Sequence, residues 1–199
     1  MTQTTNNTAV MIKDVRLSYP TLAKPESYNN GAPRFGASFH MEKDSDTHKA
    51  VVQAMLACAK EKWGEKGAAE LKACMANTQR CCLQNGAVKK VEDTLMVLTA
   101  YNKAERPPSL FLGNREPVRG ETDIARTFYA GCYVNAKITF WAQDNAHGKA
   151  IRASINGIQF NRHGDPFASN SSASADEFEV VESAALPMDD IGDDLKDLM

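Results

Sequence analysis

The stretch 133-YVNAKITFWA-142 decides how the chain is read. Val134, Ala136, Ile138 and Phe140 fall in one phase of a two-residue repeat, and Tyr133, Asn135, Lys137, Thr139 and Trp141 in the other. Successive side chains of an extended chain point to opposite sides, so the pattern predicts a strand with one buried face. The second face is unusual, because two large aromatics flank a lysine where small polar residues would satisfy water. Tyr, Thr and Trp are good strand formers, so one reading covers this face with a helix or a second subunit. The other makes it a surface for unpaired nucleic acid, with rings that stack on bases and a cation that meets phosphate.

Downstream, 149-KAIRASINGIQF-160 predicts a partner strand, joined to the first by 143-QDNAHG-148 as a hairpin with a longer loop. With Ile151, Ala153 and Ile155 inward, Arg152 shares the face of Trp141, and Asn156-Gly157 reads as a bulge. Upstream, 34-RFGASFHM-41 alternates as a half-buried strand: Phe35, Ala37, Phe39 and Met41 on one side, Arg34, Gly36, Ser38 and His40 on the other. In 9-AVMIKDVRLSY-19, Val10 and Ile12 are out of phase with Val15, Leu17 and Tyr19. One extra residue near Lys13 or Asp14 reconciles them, which predicts a bulged or sharply bent strand. Between these two strands, Asn30-Gly31 is the turn signal.

Asp44, Ser45 or Asp46 can cap a helix over 47-THKAVVQAMLACAKEKW-63, where Val51, Val52, Met55, Leu56, Ala59 and Trp63 recur at helical spacing. A shorter helix follows in 68-AAELKACMA-76, and 92-EDTLMVLTAY-101 reads as a strand buried on both faces. The fold class is therefore mainly β with one or two helices, a small barrel or curled sheet with a helical plug. The segment from Tyr101 to Gly131 interleaves Lys103, Arg106, Arg115, Arg119 and Arg126 with Tyr101, Phe111, Phe128 and Tyr129. Its prolines and glycines argue against a regular element, and a loop of that length is commonly functional. Its four acids allow the plainer reading of a solvated loop.

Charge divides the chain. Nine acids and one base follow Ala173, which leaves 16 acids and 22 bases before it from totals of 25 and 23. A basic body of about +6 thus carries an acidic end of about −8, although the whole chain has a formal charge of −2. The expected organisation is a disordered leader over residues 1–9, one domain over 10–167, and a flexible linker with a disordered acidic tail over 168–199. Within the tail, Asp189, Asp190, Asp193, Asp194 and Asp197 are mixed with Ile191, Leu195 and Leu198, a pattern suited to docking into a basic, hydrophobic groove. The same charge can lie along the basic face of the domain in place of phosphate. The start lacks the regions of a signal peptide, and no apolar run approaches the ~20 residues of a membrane span.

Five cysteines, an odd number, read as buried reduced thiols of a cytosolic protein. Adjacent Cys81 and Cys82 lack zinc-ligand spacing, and the histidines are scattered. No phosphate-binding loop, dinucleotide fingerprint or zinc-protease motif occurs. No catalytic residue, metal or cofactor is expected.

The bent first strand, RFGASFHM running into a helix, 129-YAGCYVNAKITFWAQDN-145 and a hairpin return ending in 157-GIQFNRHGDPF-167 together resemble phage-encoded single-stranded DNA-binding proteins with an OB-fold. The resemblance spans about residues 10–167, and the acidic end is similar to the interaction tails of such proteins. It implies a five-stranded OB-fold barrel. It also implies sequence-independent coating and protection of single strands during phage replication, recombination and repair in the bacterial host cytoplasm. The motif Y-x-G-x-Y-V-N-A falls on Tyr129, Gly131, Tyr133, Val134, Asn135 and Ala136, with Tyr133 and Asn135 as implied contacts. The chain ends Leu198-Met199 where tails of this class often end on an aromatic residue. Expected DNA contacts are then Tyr133 and Trp141 by stacking, Asn135 beside them, and Arg34, Lys137, Arg152, Arg115 and Arg119 at phosphates. Single-stranded DNA is the expected partner, with replication or recombination proteins at the tail, no membrane, and homo-oligomerisation left open. The alternatives are a metal-dependent nuclease and an interaction module acting mainly through its tail.

Overall fold

The computed structural model describes residues 7–146 and 148–167. The expected tail, including Asp189, Asp190, Asp193, Asp194, Asp197 and Leu198, and residues 1–6 of the leader lie outside the described residues. Seven strands form one sheet: β1 (Ala9–Glu26), β2 (Arg34–Glu42), β3 (Leu83–Asn85), β4 (Leu95–Lys103), β5 (Ser109–Phe111), β6 (Tyr133–Asn145) and β7 (Gly148–Arg162). Their order is β3-β4-β2-β1-β6-β7-β5.

The two long strands at the ends of its central five, β4 and β7, are not paired to each other as a ladder, so the sheet is unclosed in that sense. Two devices span the gap. Cys82 donates its N–H to Ile151 O at 3.0 Å while Thr99 donates to Cys82 O at 2.9 Å, and Ile151 donates to Arg80 O at 2.9 Å. Farther along, the Asn102 amide acts as a substitute strand: Ile155 N–H donates to its Oδ1 at 2.9 Å and its Nδ2 donates to Ile155 O at 2.7 Å. The five long strands thus wrap in the cyclic order of an OB barrel, with a side chain and one extended dipeptide completing the circle.

Phase determines the core. Val134, Ala136, Ile138 and Phe140 are all buried, as are Ile151, Ala153 and Ile155 opposite them. The expected bend in β1 lies where the sequence places it. Ile12 pairs with Ala136 and Val15 with Val134, so β1 spends one residue more than β6, and Asp14 takes that place at φ 49°. The bulge in β7 is Asn156, since Lys137 pairs with Gly157 but Ile138 with Ile155.

Four expectations are corrected. The hairpin ladder runs on to Asn145–Gly148, so the β6–β7 loop is short rather than long. The β1–β2 turn centres one residue earlier: Asn29 and Asn30 are both left-handed, and Gly31 N–H closes on Tyr28 O at 3.0 Å. β2 is buried on both faces, because the Tyr101 ring lies where a Cβ on Gly36 would stand, Ser38 bonds Thr99, and His40 bonds Ser18. The segment after Tyr101 holds two regular elements, β5, which runs parallel to β7, and α3 (Glu121–Thr127). A three-residue strand and a two-turn helix are too short for periodicity to reveal.

Ser45 caps α1 (Asp46–Trp63), accepting from His48 N–H at 3.2 Å, and Gly64 ends it. α1 packs on β1, β2 and β6, and α2 (Gly67–Met75) packs on β7. The buried positions of α1 are Val51, Ala54, Met55, Cys58 and Ala59, while Val52, Leu56 and Trp63 are half-buried at the margin. Trp63 donates its indole N–H to Asp144 at 2.9 Å, and Lys149 pairs with Glu70 at 2.6 Å, fastening the helices to the β6–β7 hairpin. All five cysteines are free and buried, and burial pushes the thiols of Cys58 and Cys132 up to about 11. No helix among the described residues is long and apolar enough to cross a membrane.

Candidate nucleic-acid interface

The outward face of β6 leads to three separate places. At its C-terminal end Trp141 is 46% exposed and pairs across the ladder with Arg152. Tyr101, 43% exposed at the end of β4, faces the same space, and the Arg34 guanidinium lies 3.9 Å from its ring centroid. Trp141 and Tyr101 line two adjoining hollows of about 500 and 770 Å3, the first also lined by Arg34 and Arg152 and the second by Lys103 and Arg106. With Lys89 in the first hollow, two open rings and five cations thus border one groove across the β4–β7 seam, and Glu105 is an acid in its lining. Rings and cations so arranged are chemically suited to stack on bases and pair with phosphates.

In mid-strand, Lys137 and Asn135 border a separate hollow with Arg115, Phe111 and Met11. Asn135 is already committed: its Oδ1 accepts from the Asp14 N–H at 3.0 Å and its Nδ2 donates to Gln159 at 3.2 Å. It secures the β1 bulge. Arg119 stands exposed just before Gly120, outside these hollows.

At the N-terminal end Tyr133 is covered. The Arg162 guanidinium lies 3.4 Å from its ring centroid, and Asp14 holds that guanidinium with bonds of 3.0 and 3.1 Å. The rest of the Tyr-x-Gly-x-Tyr motif fastens the end of the domain. The Tyr129 hydroxyl bonds Gly164 O at 3.0 Å and accepts from Gly164 N–H at 3.2 Å. Gly131, at φ 111°, leaves room for Asp165 O where a Cβ would sit 2.2 Å away. Arg16 donates to Gly131 O and Asp165 O, and Phe167 lies between Arg16 and His40. Burial, with Arg16 second, lowers the pKa of His40.

Residue order alone places Tyr101 at the end of a strand and Phe111 in the arginine-bearing segment after it, and leaves Met11 and Asn156 out of the site. Met11 was recoverable, since Val10 and Ile12 fix its outward phase. The approach of Tyr101 to Trp141 depends on closure of the barrel and leaves no local signal. Among the described residues, no group of three or more His, Cys, Asp or Glu is placed to hold a metal ion.

The family model for the single-stranded DNA-binding protein of Enterobacter phage Enc34 matches residues 8–190. The chain belongs to this Enc34 family. Protein p50 of Acyrthosiphon pisum secondary endosymbiont phage 1 is 31% identical over 180 residues, which cover 88% of this chain and 95% of p50. Among solved structures, the Enc34 protein in complex with single-stranded DNA superposes with a TM-score of 0.68 at 22% identity, covering 84% of this chain and 97% of that one. The single-stranded DNA-binding protein gp2.5 of bacteriophage T7 superposes at 0.54 with 12% identity, covering 89% and 97%. At such identities the structural likeness speaks for the fold, and membership of the Enc34 family rests on the sequence match.

Proposed function

We propose that the protein binds single-stranded DNA without sequence preference and coats it during phage DNA replication, recombination and repair in the host cytoplasm. The observation that carries this reading is the groove shared by Trp141, Tyr101, Arg34 and Arg152. Half-exposed rings on a rigid sheet lose little freedom on stacking, and every base offers a face to stack. Cations along the groove exchange counterions for phosphates, so affinity falls steeply with added salt. The binding domain is assigned to residues 10–167, with Lys137 and Arg115 as further phosphate contacts. Asn135 and Tyr133 act mainly by holding the surface in shape, and Arg119 reaches only strands that extend past the groove.

Residues 168–199 are assigned as a linker and acidic tail that competes with DNA for the basic face and recruits replication or recombination proteins. Deleting residues 176–199 is expected to strengthen binding at low salt, with the gain shrinking as salt screens the charge. Equal affinities with and without the tail would remove that role. For the groove itself, the experiment is a fluorescence titration of the Trp63→Phe protein with oligothymidylate. Quenching of Trp141 at saturation is expected. Unchanged emission, or cleavage of the oligomer in magnesium, would overturn the reading.

A further inference from the structure

Beside the Trp141 groove, and separated from it by the bulge at Asn156, is a second hollow of about 500 Å3. Its lining is predominantly apolar for a site at the protein surface. Phe111, at the end of β5, is 36% exposed, and Met11, on the outer face of β1, is 52% exposed. Gly157 and Ser109 complete it between these two. Parallel pairing of Ser109–Phe111 with Gly157–Gln159 fixes the ring of Phe111 in position, and the turn closed by Arg115 N–H on Leu112 O (3.0 Å) brings Arg115 back over the hollow. Lys137 stands on another side. Asn135 and Gln159 bond each other, so they form a wall rather than a reading edge. Asn156 accepts from Thr139 at 2.7 Å through its Oδ1, and its amide NH2 is unengaged among the described residues.

We infer that this hollow is a discrete nucleotide subsite: one unpaired base of the bound strand enters between Phe111 and Met11, and Lys137 and Arg115 take the flanking phosphates. The inference rests on the proposed single-strand binding and assigns a second anchor to it. Charge selects the occupant, because two cations stand over an apolar floor with no acid in the lining. Continuity selects it as well, since Asn156 lines both this hollow and the groove that holds Trp141 and Tyr101. Lys137 and Trp141 are four residues apart on β6, about 13 Å at the usual strand rise. One strand can therefore occupy both places. The Asn156 NH2 can donate to an acceptor that every base carries, so the subsite adds affinity without selecting a sequence.

The test uses the full chain and oligothymidylate carrying scattered 5-iodouracil. Irradiation followed by peptide mapping is expected to give cross-links in two sets, one at Tyr101 or Trp141 and one at Phe111 or Met11. Phe111→Ala is expected to weaken binding roughly 5-fold or more, the low end of what a lost base stack costs. Saturating DNA should still quench Trp141 in that variant. Phe111→Leu keeps the apolar contact with β7 and loses the ring, so it decides the matter if the alanine variant does not fold. Lys137→Gln should reduce the slope of log affinity against log salt by about one contact. Cross-links confined to the Trp141 groove, together with wild-type affinity in the folded Phe111 variants, would overturn the subsite and leave the groove standing. Wild-type protein that neither binds nor cross-links would overturn both.

Discussion

Tyr133 and Trp141 lie on the same face of the same strand, in the same phase, eight positions apart in number, yet they are differently placed for function. Trp141 opens onto a groove, with Arg152 across the ladder and Tyr101 beyond the seam. Tyr133 lies under Arg162, which Asp14 holds in turn, and Arg16 approaches the same ring at 5.6 Å. One aromatic is open to solvent at the groove; the other is covered by the clamp at the end of the domain. Alternation tells which side of a sheet a ring is on. It does not tell what else occupies that side.

The inner face of β6 provides the largest contrast. Phe140→Ala should cost roughly 3–5 kcal/mol of stability, as for any fully buried aromatic, whereas its neighbour Trp141→Ala should leave urea unfolding nearly unchanged. A comparable loss from both would mean that Trp141 is core and that the groove is misread. Next in size is DNA affinity. Trp141→Ala should lose roughly 1–3 kcal/mol of binding to a single strand, and Tyr133→Ala distinctly less, by filter binding at one fixed salt. Equal losses would erase the distinction between the two ends of the strand and restore Tyr133 as a stacking platform.

A smaller effect is expected at the clamp. Asp14→Asn removes the carboxylate that occupies Arg162, at an exposed pair worth little to stability. The variant should bind single strands modestly more tightly at low salt and show a slightly steeper salt dependence, because one more cation becomes available to phosphate. Weaker binding would show that Asp14 shapes the interface by holding the β1 bulge. The smallest effect is that of pH on the clamp. Burial and Arg16 keep His40 below its ordinary pKa, so as pH falls below ~6.5 the unfolded chain takes up a proton before the folded one does. The His40 contribution to stability is therefore complete at neutral pH and is lost as pH falls through that window. His48 is also lowered by burial and adds a parallel loss. His40→Gln should flatten part of the fall in melting temperature between pH 7 and pH 5. An unchanged slope would place the titration elsewhere.

Much of this was legible in residue order. The period of two in β6 and β7 fixed which side of each becomes core. The phase break at Asp14 and the bulge at Asn156 were visible because an extra residue must shift the alternation, whatever the surrounding fold. The cluster Asp44, Ser45 and Asp46 announced the start of α1, because a helix begins with unpaired N–H groups that a short side-chain oxygen can satisfy, and the structure selects Ser45 from the three. Arg152 and Trp141 share one face by the same local geometry, and the groove brings them together with Arg34 from the end of β2. β5 and α3 were not legible, since three and seven residues carry too little periodicity.

What tertiary structure alone decided is which outward residues are available. Asn102 replaces a missing ladder against β7, a role that no spacing predicts, and in closing that seam it brings the end of β4, with Tyr101, towards Trp141. The Asp14 carboxylate and the Arg162 guanidinium are 148 positions apart along the chain, and their meeting over Tyr133 depends on β1 and β7 flanking β6. Local sequence sets backbone conformation because its causes act within a few bonds. Exposure is set by whatever the completed fold brings alongside, so the same tyrosine pattern could have made a binding surface or, as here, a clamp.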